Sequence, residues 1–296
     1  MSALDPDKLL AFYRGCGFKT HRSASGWWYE AGPRFLLAVP THIPLVVSDG
    51  EAQAILKSTG TLGLRYVCAS DTLGRESWQM VATGSDYSLE QFSGNTRSKI
   101  RRGLKNHEIK RISGADLARH GEQAFLDTVE RQGRAGRYGL ERWHRLLAAA
   151  DREQGIEIWS AWSGDAMVAY LLIMVFDDTC ELYEARSRSD ALRQYPNNAL
   201  IYTVTEDLLV RRKLDEVTFG IEGLEELDTL DQFKLAMGFT KQPIRQHVIF
   251  HRTLRAALGI APLRRAVGAL ASRPQASSFW RRANSLLGLS GLGAQP

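Results

Sequence analysis

Cysteine is scarce in this 296-residue chain: Cys16, Cys68 and Cys180 are odd in number and far apart, with no CxxC pair and no Cys/His ligand spacing. A disulfide framework and a zinc site are therefore not expected, and the three thiols should be reduced and packed as small hydrophobic groups. Long apolar runs are also missing. No stretch reaches the ~20 residues a spanning helix needs, and no hydrophobic run follows a basic start. Neither a transmembrane segment nor a secretory signal is expected, and the cytoplasm is the default location. Acidic residues are absent from His251 to Pro296, where seven arginines stand (Arg252, Arg255, Arg264, Arg265, Arg273, Arg281 and Arg282). Without that tail the chain has 31 basic residues against 33 acidic, so the net charge of +5 belongs to the tail. The near-neutral body argues against a broad nucleic-acid-binding face.

What is present suits a soluble globular protein. With 44% hydrophobic and 24% charged residues the chain can bury a large core, in one large domain or two ordinary ones. Residues 1–94 read as an α+β half: a helix from Asp5 to Tyr13, paired strands near Trp27–Tyr29 and Phe35–Val39, a helix beginning at Asp49 or Gly50, and strands at Arg65–Ala69 and Ser77–Ala82. A basic helix from Leu89 to Lys105 crosses over to a strand at Glu108–Ile112. Two amphipathic helices follow, near Asp116–Gln132 and Leu140–Glu153, joined by a Gly-rich connection carrying Arg131, Arg134 and Arg137. Ile156–Trp162, the Gly164-Asp165 turn and Met167–Phe176 give a strong hairpin signal, and Cys180–Arg186 supplies a third strand.

The block from Tyr183 to Phe239 is the most informative. A strand passes through the polar loop Arg193-Gln194-Tyr195-Pro196-Asn197-Asn198-Ala199 into a helix of 3.6-residue period, in which Leu200, Ile201, Val204 and Leu208 face inward. Asn197 and Asn198 supply side-chain acceptors for capping, and the helix start aims backbone N–H groups at one spot, where an anion can bind. Val217-Thr218-Phe219-Gly220 reads as a short strand. Asp228 or Thr229 caps a last helix that Gly238 stops, with Phe239 folding back on it. From Asp116 onward the order is α-α-β-β-β-α-β-α-β.

That order resembles the GNAT acyltransferase fold. The details resemble its two-domain Fem-type (FemAB-like) branch more than single-domain N-acetyltransferases. The resemblance is carried by Asn95-Thr96-Arg97-Ser98-Lys99-Ile100-Arg101-Arg102-Gly103-Leu104-Lys105, Tyr195-Pro196-Asn197-Asn198-Ala199-Leu200, Val217–Gly220 and Leu230-Asp231-Gln232-Phe233-Lys234 with Gly238-Phe239. It implies an α+β fold in which helices flank a mixed sheet, with a GNAT-like domain at 95–251, a reduced and degenerate GNAT-like half at 1–94, and a basic tail at 252–296, amphipathic or partly disordered. It implies acyl-CoA as co-substrate, held where Cys180–Arg186 and Val217–Gly220 splay apart, and direct attack by an amine with no metal required. Arg186, Arg193, Tyr195, Asn197 and Asn198 are the candidate donor contacts. Glu184 and Glu222 are the candidate bases, Tyr183 is a candidate catalytic hydroxyl, and Lys234 is the candidate substrate contact. The phosphate loop departs from the single-domain pattern, because it lacks the glycines that admit a pyrophosphate and Pro196 removes an N–H.

The expected activity is N-acyl transfer from acyl-CoA to a small-molecule or cell-envelope amine. Two alternatives stand beside it: a Fem-type transferase that takes its aminoacyl group from charged tRNA, and a catalytically silent scaffold or membrane-surface protein. Leu263, Val267 and Leu270 opposite Arg264 and Arg265, with Phe279-Trp280-Arg281-Arg282, give the tail an interfacial character, so peripheral membrane contact is also expected.

Overall fold

The computed structural model describes residues 3–32, 34–132, 139–224, 228–273 and 277–292. Arg134 and Arg137 of the Gly-rich connection lie outside the described residues.

Along the chain, α1 (Pro6–Gly15) leads to β1 (Thr20–Arg22), β2 (Trp27–Gly32), β3 (Phe35–Val39), α2 (Asp49–Thr59), β4 (Gly63–Val67) and β5 (Arg75–Thr83). Then come α3 (Gly94–Asn106), β6 (Glu108–Ile112), α4 (Gly114–His120), α5 (Glu122–Arg131) and α6 (Leu140–Ala150). The third stretch holds β7 (Ile156–Ser163), β8 (Ala166–Val175), β9 (Thr179–Ser187), α7 (Pro196–Glu206) and β10 (Glu216–Ile221). It continues with α8 (Asp228–Ala236), β11 (Thr240–Phe250), α9 (Arg252–Leu258), α10 (Ala261–Ala271) and α11 (Ser278–Leu289). The class is α+β, with a mixed sheet and flanking helices, as expected.

The chain divides into two compact units. The first comprises Met1–Gly17, Met80–Gly220 and Thr229–Lys241. Its strands follow the order β5-β10-β9-β8-β7-β6, in which β9 and β10 run parallel and β6 to β9 form an antiparallel meander. Strand β8 is buried along nearly its whole length, as its run of apolar residues requires. The helix expected at Asp116–Gln132 is two helices. Ser113 and Asp116 close a capping box on α4, and Gly121 separates it from α5. Helix α8 ends in a Schellman motif: Phe239 N–H donates to Lys234 O at 3.2 Å and Gly238 N–H to Leu235 O at 3.0 Å, with Gly238 at φ +82°.

The second unit comprises Phe18–Gln79, Ile221–Asp228 and Gln242–Pro296. Strands β1 to β4 pair in sequence order, antiparallel except for β3 with β4, and β4 pairs antiparallel with β11. Trp28, Leu36, Leu56, Leu64 and Tyr66 centre one core. A second core joins Val248 and Phe250 of β11 to Leu258, Val267, Leu287 and Leu289. The described part of the tail is thus helical and seated on β11. Pro262 lies in the first turn of α10, where its missing N–H would have had no intrahelical partner.

Candidate active site

Two local features part the parallel strands β9 and β10. Their ladder has three pairs, ending at Thr218 with Glu181, although β9 runs on to Ser187 and β10 to Ile221. On its other side, β9 pairs Glu184 with Leu172 and Leu182 with Ile173, which leaves Tyr183 as an extra, bulged residue. A bulge bends its strand and sharpens the twist, so β9 turns away directly after the last pair. On β10, Gly220 adopts φ +72° and its N–H donates to Thr218 Oγ1 at 3.0 Å, a conformation that favours glycine. Beyond these points the β9–β10 ladder is not continued; the Ser187 N–H donates instead to Thr128 Oγ1 at 3.0 Å.

The side chains on the bent part of β9 form a buried polar chain. Glu184 and Arg186 are two residues apart and share a face. Arg186 Nη2 donates to Glu184 Oε2 at 2.9 Å, with the side chains 7% and 10% exposed respectively. Tyr170 of β8 donates its hydroxyl to Glu184 Oε1 at 2.8 Å and accepts from Trp143 Nε1 at 2.9 Å. Burial first, and the Glu184 charge second, push the Tyr170 phenol well above its ordinary range, so it remains a donor. Phe125 closes the chain from one side, stacking on Trp143 at 5.1 Å with the Arg186 guanidinium 5.9 Å from its ring. Each Glu184 oxygen accepts one of these bonds and retains acceptor capacity. Tyr183, half-buried, meets Phe12 and Tyr13 of α1 edge-on, both at 6.2 Å.

The loop after β9 is tied down on both sides. Asn197 Nδ2 donates to Ser187 Oγ at 3.1 Å, and Asn198 Nδ2 contacts Met237 Sδ at 3.3 Å. The first turn of α7 is thereby tied to the end of β9 and to the end of α8. The asparagines do not cap the helix as expected: the N-cap is Tyr195, in the left-handed region at φ +61°, and Pro196 takes the first helical position. Arg193 is exposed, and an open depression beside it is lined by Ser163, Val168, Arg188, Asp190 and Gln194.

Helix α3 comes close to this loop. A Cβ on Gly103 would lie 2.5 Å from Tyr195 O and 3.0 Å from Ala199 Cβ, so only glycine admits the approach. It brings Lys99 Nζ to 5.9 Å and the Arg102 guanidinium to 5.7 Å from the Tyr195 ring. Lys234 lies near β10, its ammonium 5.3 Å from the Phe219 ring and 3.5 Å from Asp231 Oδ1. Burial pulls the Lys234 ammonium below the usual lysine range, against the pull of Asp231.

Tyr183, Glu184, Arg186, the Arg193–Asn198 loop and Lys234 all lie in the first unit, on β9, on the loop and first turn that follow it, and on α8. Glu222 belongs to the second unit and to a different network. Its Oε2 accepts from Ser77 Oγ at 2.6 Å, Gln246 Nε2 donates to the same Ser77 at 2.6 Å, and Gln246 Oε1 accepts from Arg65 Nε at 2.6 Å. Arg186 is held inward by Glu184. Sequence reasoning missed Tyr170, Trp143 and the part played by Lys99, Arg102 and Gly103. Tyr170 had a signal, as the lone polar side chain in the apolar run Ala166–Val175. Among the described residues no group of three or more His, Cys, Asp or Glu is placed to hold a metal ion.

Residues 91–234 match the acetyltransferase (GNAT) domain family. No curated protein matches the sequence. Among solved structures, FemX is similar with a TM-score of 0.58 and 12% identity, over 85% of this chain and 92% of FemX. The C-terminal domain of a putative lysylphosphatidylglycerol synthetase from Agrobacterium fabrum gives a TM-score of 0.56 and 11% identity, over 85% and 91% of the two chains. L-PGS from Bacillus licheniformis gives 0.52 and 12%, over 84% and 92%. At such identities the likeness is one of fold.

Proposed function

From the match of residues 91–234 to the acetyltransferase (GNAT) domain family, we propose that the chain moves an acyl group from an acyl-CoA thioester to an amine at the opening between β9 and β10. Support comes chiefly from the early end of the β9–β10 ladder beside the bulge at Tyr183. A thioester laid against the freed edge of β9 can hydrogen-bond its carbonyl to backbone N–H groups, which also stabilise the oxyanion that develops there. The donor's phosphates meet the start of α7, where the N–H groups of Asn197 and Asn198 precede the first intrahelical bonds. Arg193, Lys99 and Arg102 add positive potential. These cations and the left-handed Tyr195 stand in for the missing glycines, and Pro196 sacrifices an N–H that an N1 position does not use.

The acceptor arrives as an ammonium and is drawn to Glu184. Its proton passes to the carboxylate, directly or through a water, and the freed nitrogen attacks the thioester carbon. The tetrahedral adduct collapses as the carbon–sulfur bond breaks; the excess proton on its nitrogen passes through the Tyr183 hydroxyl to the leaving thiolate, so Tyr183 ends as it began. Arg186 and Tyr170 keep the Glu184 oxygens aimed, and Lys234 contributes charge at the β10 side.

A second reading has its own observation. Exposed Arg101, Arg102 and Lys105 continue the cationic surface along α3, further than a pyrophosphate requires. An aminoacyl-tRNA donor, as the resemblance to the Fem-type branch implies, would use that length, and its binding would weaken steeply with salt. The test is a thermal-shift panel of acyl-CoA thioesters followed by turnover with amine acceptors. A donor at 100 times its Kd should stabilise by about 2.7 kcal/mol, several degrees in Tm. Arg193→Ala should weaken that shift, whereas Glu184→Gln should keep it and abolish transfer. No shift with any thioester, together with a salt-sensitive shift by charged tRNA, would move the assignment to the second reading.

A further inference from the structure

The end of β9 turns alternate backbone groups away from β8. Arg188 N–H donates to Val168 O at 2.8 Å, and in the register that pairs Ser187 with Ala169 and Ala185 with Leu171 an antiparallel ladder bonds every second residue. Ser187 and Ala185 therefore direct N–H and C=O to the other side, where the pairing with β10 has ended at Thr218. Ser187 is 1% exposed, so its groups need partners inside the protein. One hydroxyl supplies both: Thr128 Oγ1 accepts from Ser187 N–H at 3.0 Å and donates to Ser187 O at 3.0 Å. Ala185 is exposed and has no such partner among the described residues.

Thr128 belongs to the buried residues of α5 with Ala124, Phe125 and Val129. A valine has the same shape, so packing alone gives no reason for a hydroxyl there. A threonine inside a helix commonly turns its hydroxyl to the carbonyl one turn back; this one reaches across to β9 instead. Its neighbours on α5 hold the chain that follows: Asp127 Oδ2 accepts from Ser189 N–H at 3.0 Å, and Arg131 Nη1 donates to Ser189 Oγ at 2.8 Å. From Ser187 the tie continues, because its Oγ accepts at 3.1 Å from Asn197 Nδ2 in the first turn of α7. A single buried hydroxyl thus fixes the end of β9 and, through Ser187, the start of α7.

We propose that Thr128 is a positioning residue for the acyl donor: it closes the far end of the open β9 edge at Ser187, leaves the edge at Ala185 uncovered, and holds the first turn of α7 where the donor's phosphates arrive. The proposal rests on the reading of the β9–β10 opening as the donor site. Thr128 acts through Ser187 and takes no part in the chemistry. Its hydroxyl is fully used, since besides the two bonds to Ser187 it accepts from Arg131 Nη2 at 3.3 Å.

Calorimetric titration of the full chain with acetyl-CoA, beside variants of α5 and β9, tests this. Thr128→Val keeps the shape and removes the hydroxyl, so Kd should rise roughly five- to tenfold. Thr128→Ser should restore it to within roughly twofold. Val129→Ala loosens the same helix and keeps the hydroxyl, so it should lower stability and leave Kd unchanged. In the ligand-free protein, hydrogen exchange at the Ser187 amide should be roughly tenfold faster in Thr128→Val than in the wild type or Thr128→Ser. Ser187→Ala cuts the link to Asn197 and keeps the backbone bonds to Thr128, and should raise Kd roughly threefold. A wild-type Kd in Thr128→Val, or in Ser187→Ala should Thr128→Val not fold, would overturn the positioning role and leave the donor site standing. So would an equal loss of binding in Val129→Ala. A wild-type chain that does not bind acetyl-CoA would instead overturn the donor-site reading, and this role with it.

Discussion

Arg186→Met probes the centre of the candidate site through stability alone. In the native chain the guanidinium donates to Glu184 at 2.9 Å, and both side chains are at least nine-tenths covered. Removing one partner of such a pair leaves an uncompensated buried charge, which costs about 3–5 kcal/mol. Tyr170 still donates to Glu184 Oε1, and a hydrogen bond to a charged group is worth about 1.5–3 kcal/mol, so the lower end, about 3 kcal/mol, is expected. With a urea m-value of about 1–3 kcal/mol/M, the midpoint of unfolding should fall by roughly 1–3 M. Glu184→Gln with Arg186→Met removes both charges and should cost less than the two single changes together. The coupling from the double-mutant cycle should be about 2–3 kcal/mol. Urea unfolding followed by circular dichroism measures all four corners. If Arg186→Met loses under 0.5 kcal/mol, or if the two changes are additive, solvent screens the pair and Glu184 is not a held carboxylate.

Other outcomes follow from particular contacts. Gly103→Val places side-chain carbon where Tyr195 O and Ala199 Cβ already stand, so it should destabilise by about 1–3 kcal/mol and loosen donor binding, read by unfolding and by thermal shift. Burial, with Asp178 and Asp215 adding to it, raises the Glu216 carboxyl above its ordinary range, so the folded state favours the protonated form. Its stabilising contribution is complete below about pH 4.5, the unfolded value, and is lost as pH rises through the folded one. Glu216→Gln should accordingly gain stability near pH 7, and a stability–pH series should show that gain vanish in acid. Burial pushes the Cys16 thiol up to about 12 and the Cys180 thiol well above its usual range, and Cys68 is buried too. None of the three should react with Ellman's reagent at pH 8 until urea is added.

Features set by local chemistry were legible in the sequence. The β7–β8 hairpin, strand β6 and the glycine-stopped helix α8 each rest on residues a few positions apart. Glu184, the Arg193–Asn198 loop and Lys234 could be named because they stand at a strand, its outgoing loop and a helix with strong periodicity. The bulge at Tyr183 could not be read, because it exists only against the register of β8, where Ile173 and Leu172 stand ten and eleven positions earlier in sequence. Helix capping by Asn197 and Asn198 was a fair local expectation, but Ser187 and Met237 compete for those side chains. Arg186 read as an anion contact because sequence shows charge and not orientation, and Glu222 read as a base because it follows a strand end. The tail read as amphipathic or partly disordered, while the apolar contacts of Val267, Leu287 and Leu289 with β11 are long-range.

Hydrogen–deuterium exchange with and without acetyl-CoA is the most direct test of the opening between β9 and β10 as the donor site. Protection should rise in the β9 segment Tyr183–Arg186 and at the amides of Asn197 and Asn198, with little change along β7. Protection confined to other segments, or a bound thioester that leaves those amides exchanging as before, would contradict the account.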